Sequence, residues 1–102
     1  MKNEKETLSI LRNISNQPYT SQRKIADNLG YSIGKLNYCI KNLKKKGLIK
    51  IKNFNNNPNK FNYLYIITPK GIAEKTRMSI QYMKRISKEY DELKKELKAK
   101  NE

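Results

Sequence analysis

Residues 32–47, SIGKLNYCIKNLKKKG, constrain this chain more than any other stretch. Apolar residues at Ile33, Leu36, Ile40 and Leu43 recur in steps of three and four, which sets them along one face of a helix. The other face carries Gly34, Lys35, Asn37, Tyr38, Lys41, Asn42 and Lys45, and the segment holds no acid. Ser32 offers a hydroxyl to an amide that the first turn leaves unpaired. Gly47 supplies the left-handed residue that ends such a helix, and Lys44, Lys45 and Lys46 sit at the negative end of its dipole. An ordinary solvated helix can carry the same pattern, so its neighbours decide its role.

Upstream, residues 6–16 predict a first helix with Leu8, Leu11 and Ile14 on one face and Ile10 beside them. Glu4 and Glu6 suit its positive end, and Gln17-Pro18 stops it. Tyr19-Thr20 reads as a short extended link. Residues 22–29 predict a second helix capped by Ser21, with Ile25, Ala26 and Leu29 inward and Gly30 closing it. Helix, tight glycine turn and longer helix form the helix-turn-helix arrangement, whose second helix enters the DNA major groove. Ser32, Gly34, Lys35, Asn37, Tyr38 and Lys41 are therefore the candidate contacts on the recognition helix. Lysine donates to guanine and asparagine pairs with adenine, while Gly34 admits close approach of the backbone. Ser21, Gln22, Arg23 and Lys24 are candidates for phosphate contact at the start of the second helix. A plain solvated surface uses the same residue types.

After Gly47 the period changes. Leu48-Ile49-Lys50-Ile51-Lys52 alternates as a strand, and Tyr63-Leu64-Tyr65-Ile66-Ile67 is a second β-rich run. The polar stretch NFNNNPNKFN between them predicts a projecting wing. Its Asn55, Asn56, Asn57, Asn59 and Lys60 suit the minor groove or the phosphate backbone, against the plainer reading of a solvent loop. Tyr63 and Tyr65 fit packing within the hairpin better than stacking on bases.

Thr68-Pro69-Lys70-Gly71 opens a long helix, with Thr68 as cap and Pro69 in the first helical position. Gly71 inside the first turn suggests close packing against the hairpin. From Ile72 the positions 72, 76, 79, 83, 86, 90, 93 and 97 trace a heptad seam, weak at Thr76 and Ser79, where Ile80 takes over. Ile72, Ile80, Met83, Ile86, Tyr90, Leu93 and Leu97 are the candidate dimer interface. The heptad steps alone leave parallel and antiparallel pairing open. The expected organisation is residues 1–70 as a winged helix-turn-helix and residues 71–102 as a continuous C-terminal dimerisation helix forming a coiled coil. The expected fold class is mainly α with a small β-hairpin.

Charge agrees with a polyanion partner. The formal net charge is +14; residues 1–70 hold 14 Lys/Arg against 3 acids, and residues 72–102 hold 9 against 6. Ile, Lys and Asn make up 44 of the 102 residues, a bias typical of AT-rich coding, so part of the basic excess owes nothing to binding. The single Cys39 excludes an internal disulfide and flanks the apolar face as a small core residue; a thiol sensor needs exposure and a lowered pKa. The chain has no histidine, no phosphate-binding glycine loop and only dispersed acids, so no enzyme, metal site or cofactor is expected. With no membrane-length apolar run and no apolar leader, a cytoplasmic protein is the expectation.

The order of helices, KKKGLI, hairpin and ITPKG resembles the MarR-type winged-helix transcription regulators. LGYSIGKLNYCIKNLKKKGLI is similar without gaps to that family's recognition-helix pattern, with Gly30, Ser32, Leu43 and Gly47-Leu48-Ile49 in place. GKLNYCIKNLKKKG, KIKNF, YLYIITPKGIAEK and KEYDELKKEL resemble the exopolysaccharide (EPS)-associated subfamily, over about residues 6–97. The chain departs from larger relatives in having one C-terminal helix, no histidine, Lys24 where a capping acid is usual, and an asparagine-rich wing tip. A small-molecule effector is therefore not carried over. The resemblance implies a homodimeric regulator that binds double-stranded operator DNA, of exopolysaccharide genes. A nonspecific architectural nucleic-acid binder and a winged-helix protein-interaction module are the competing readings.

Overall fold

Two local devices cut the chain into helices. The hydroxyls of Ser21 and Ser32 each accept a hydrogen bond, at 3.1 Å, from the amide three residues on, which starts α2 (Gln22–Leu29) and α3 (Ile33–Lys45). Both helices then close on a left-handed glycine, Gly30 at φ 71° and Gly47 at φ 75°. The amide after each glycine reaches back into the last turn, Tyr31 N to the Ala26 carbonyl at 2.9 Å and Leu48 N to the Leu43 carbonyl at 3.0 Å.

The computed structural model describes residues 4–53 and 63–100. The first helix, α1 (Glu4–Asn16), begins two residues before the sequence reading placed it. Tyr19 and Thr20, read as a link, form a strand, β1 (Tyr19–Thr20). It pairs antiparallel with β3 (Tyr63–Ile67), Tyr19 opposite Leu64. On its other edge β3 pairs with β2 (Ile49–Asn53), from Ile49 opposite Ile67 to Asn53 opposite Tyr63. The hairpin is thus part of a three-stranded antiparallel sheet of order β1-β3-β2. The fold is mainly helical with this small sheet and a long last helix, α4 (Pro69–Lys100).

The core gathers Leu8, Ile10, Leu11 and Ile14 of α1, Ile25 and Ala26 of α2, Leu36, Ile40 and Leu43 of α3, then Leu48, Ile49, Tyr65 and Met78. Burial pushes the Tyr65 hydroxyl up to a pKa of about 12. Ile33 is a correction to the periodic reading. It is the first residue of α3, 49 % exposed, and stands outside the core cluster and the residues packed against it.

The start of α4 is locked to the end of α3. The Thr68 hydroxyl donates to the Gly47 carbonyl at 2.6 Å and accepts from the Gly71 amide at 3.0 Å. The Thr68 amide donates to the Leu48 carbonyl at 3.0 Å, and the Lys70 ammonium to the Lys46 carbonyl at 3.0 Å. Gly71 is buried at this junction, where the close approach admits only glycine: a Cβ would run into the Leu48 carbonyl and come within 2.7 Å of Ile67 Cγ2. Met78 and Tyr82 complete the contact with the core. Beyond them α4 projects into solvent, giving the molecule extents of 64 × 26 × 21 Å. Of the predicted seam, Ile72, Ile80, Met83, Ile86, Tyr90, Leu93 and Leu97 are all exposed in the single chain. Among the described residues, no helix is long and apolar enough to cross a membrane.

Candidate nucleic-acid interface

With Leu36, Ile40 and Leu43 buried, helical geometry turns Gly34, Tyr38 and Lys41 outward on successive turns of α3. Tyr38 is 66 % exposed, Lys41 is exposed, and nothing lies within 4 Å of where a Gly34 Cβ would stand. Lys45, which the sequence reading assigned to no contact, continues this stripe at the helix end. Its exposure and helical spacing are the signals that identify it.

The two residues flanking the stripe are tied to other helices. Asn37 donates from Nδ2 to the Gln22 side-chain oxygen at 3.1 Å, a partly buried bond that joins α3 to α2. The sequence reading had this side chain pointing away from the packed face; it lies between the two. Lys35 turns toward α1, with its ammonium 3.0 Å from the Glu6 carboxylate and 4.3 Å above the Tyr31 ring. The Glu6 hydrogen bond holds the Lys35 pKa above the ordinary lysine range. Its side chain remains 44 % exposed, so the pair is screened and its stabilisation modest.

Ser32 and Ser21 cap their helices, and Arg23 and Lys24 are exposed on the first turn of α2. The outward stripe of α3 and the start of α2 are joined through Asn37 and Gln22, while Lys46 and Lys70 lie at the end of α3 in a cleft with Glu4, Thr7, Glu74 and Arg77. Lys50 and Lys52 lie on the exposed side of β2, opposite the buried Ile49. The wing candidates Asn55, Asn56, Asn57, Asn59 and Lys60 fall outside the described residues.

Cys39 sits at the edge of this region, partly buried against the core, with its thiol directed to Glu6 at 4.0 Å. Burial, then the Glu6 carboxylate, push its pKa up; Lys35 opposes them. That is the opposite of an activated thiolate. Among the described residues, no group of histidine, cysteine and acids is placed to hold a metal ion.

An exposed, basic α3 behind the Gly30 turn, backed by a small antiparallel sheet, defines a winged helix-turn-helix of the DNA-binding class. Residues 7–50 match the family model described as winged helix-turn-helix DNA-binding. The chain carries the winged-helix fold of MarR-family transcription regulators. It is similar to the zinc-responsive MarR family member ZitR of Lactococcus lactis, at 25 % identity and TM-score 0.66 over 85 % of this chain and 58 % of that one. A mutant of ZitR in apo form gives 25 % identity and TM-score 0.70 over 93 % and 70 %. The PcaV transcriptional regulator of Streptomyces coelicolor gives 16 % and 0.66 over 76 % and 56 %. The chain spans little more than half the length of PcaV. A comparison with curated protein sequences gives no match.

Lys41→Ala and Asn37→Ala are expected to differ in kind. Lys41→Ala should leave stability unchanged and lower operator affinity by about 1–3 kcal/mol if it reads a base. Asn37→Ala should also cost about 0.5–1.5 kcal/mol of stability by breaking its bond to Gln22. Urea titration and operator binding on both variants check this, and unchanged affinity in both would show that this face does not read DNA.

Proposed function

We propose that the chain is a sequence-specific transcription regulator that binds operator DNA as a homodimer. The observation that carries the reading is the outward stripe of α3, Gly34, Tyr38 and Lys41, held on a buried face and flanked by basic residues. In this reading α3 lies in the major groove and the start of α2 contacts phosphates. Lys35 and Asn37 act at its edges: Asn37 sets α3 against α2, while Lys35, on a half-exposed side chain, must share its ammonium between Glu6 and a phosphate or base. The wing residues Asn55, Asn56, Asn57, Asn59 and Lys60 add a groove or backbone contact. The resemblance in GKLNYCIKNLKKKG and YLYIITPKGIAEK supports exopolysaccharide genes as the target.

Dimerisation follows from size. One helix-turn-helix reads only a few base pairs, so two half-sites about one helical turn apart, or a multiple, must be held together. The exposed seam on α4 supports that role, and the Thr68 junction couples its axis to α3. Binding to the promoter beside its own gene should exceed binding to scrambled duplex by about 10³-fold or more at physiological salt. A salt titration of both duplexes tests this. Equal affinities would make the chain a nonspecific binder, and no binding would make it a protein-interaction module.

A further inference from the structure

From Met83 to Lys100 every residue of α4 is exposed; Ile86 and Glu89 border a cleft against Glu4, Lys5 and Leu8 of α1, and the span beyond them runs clear of the winged domain. Its apolar side chains larger than alanine are Met83, Ile86, Tyr90, Leu93 and Leu97, each 44–62 % exposed. They follow alternating three- and four-residue steps with no apolar residue broadening the stripe beside them. A stripe that narrow fits one partner helix, as in a two-stranded coiled coil.

The flanks of the seam carry opposite charge. Glu89 and Glu96 each precede a seam residue, on one side of the stripe, whereas Ser87 and Lys94 each follow one, on the other. Among the described residues the ion pairs are Lys35 with Glu6 and Arg77 with Glu4 and Glu74, so Glu89, Glu96 and Lys94 have no ion-pair partner there. Lys94 instead lies 5.8 Å from the Tyr90 ring centroid, beside the seam.

We propose that two copies of this chain pair through α4 as a parallel, in-register coiled coil, with Glu89 of each chain opposite Lys94 of the partner subunit. The proposal rests on the homodimer reading above and adds its orientation. In a parallel pair the residue before one seam position meets the residue after the next seam position of the other helix, which brings unlike charges together on both sides of the two-fold axis. In an antiparallel pair over the same span each flank meets its own kind, so the acidic flank of Glu89 and Glu96 faces an acidic flank. Like charges in that position destabilise. Parallel pairing also keeps both winged domains at one end of the coil. The Thr68 bonds then carry the two-fold axis into the relative placement of the two α3 helices.

The orientation is tested in the full chain with Cys39→Ala, so that an introduced thiol stands alone. Leu97→Cys in that background should oxidise almost completely to a disulfide-linked dimer, because equivalent seam residues face one another only in the parallel arrangement. A dimer by sedimentation that fails to cross-link would overturn the parallel orientation and leave the dimer standing. A monomer by sedimentation would overturn both. Independently, Glu89→Lys should weaken dimerisation roughly three- to tenfold, two exposed pairs being lost per dimer, and adding Lys94→Glu in the same chain should restore it. An unchanged or strengthened dimer constant for Glu89→Lys overturns the proposal, since in an antiparallel pair the substitution relieves the acidic flank of Glu89 and Glu96 instead of breaking a favourable pair.

Discussion

Ile86→Lys combined with Leu93→Lys is expected to give a monomer whose winged domain stays folded and whose binding to a two-fold-symmetric operator collapses. Both side chains lie beyond Tyr82 and outside the core cluster, Ile86 only bordering a cleft beside Leu8 and Met78, so the substitutions take no residue from the core. In a dimer each buried Ile or Leu contributes roughly 1.5–3 kcal/mol. Four such side chains lost from one seam therefore amount to about 6 kcal/mol or more, on the order of 10⁴-fold in the dimer constant, before charge repulsion. The added lysines should preserve or raise nonspecific DNA binding. Light scattering and footprinting decide the matter. A monomer that still protects both half-sites at the wild-type concentration would sink the argument that dimerisation supplies specificity.

Gly71→Ala should be the most damaging single substitution at a glycine. Its new methyl would meet the Leu48 carbonyl, a backbone atom already engaged by the Thr68 amide, as well as Ile67 Cγ2. Neither neighbour can swing aside as a flexible side chain does. Overpacking of this kind costs about 1–3 kcal/mol and sometimes more. The loss should appear in urea denaturation as a lowered midpoint with an unchanged slope. Operator affinity should fall further than the lost stability explains, because α4 would tilt where it is bolted to the end of α3. Gly34→Ala is the control. The space around it is open, so stability should hold or rise by up to about 1 kcal/mol, the difference in helix propensity. Reduced DNA affinity in that stable variant would show that the α3 backbone approaches the duplex closely. Wild-type stability in Gly71→Ala would refute the packing argument.

The sequence by itself determined the features whose physics closes within a few residues. Ser21 and Ser32 start their helices because a hydroxyl three residues before an unpaired amide can reach it in any context. Gly30 and Gly47 end them because only a left-handed residue returns the next amide to the last turn. The same holds for the buried stripe of Leu36, Ile40 and Leu43 and for the exposed seam of α4, since helical period alone sets which residues share a face. Tertiary structure decided what depends on which element lies alongside. Tyr19 and Thr20 are too short a run to show a period, and become a strand only because β3 offers them an edge. Ile33 follows the apolar period yet stays exposed, because period assigns a face but not what packs on it, and the core cluster starts on this helix at Leu36. Lys35 and Asn37 look alike in sequence, as polar residues on a basic helix. Their partners, Glu6 and Gln22, lie far off in the chain, so only the crossing of α1 and α2 against α3 assigns them.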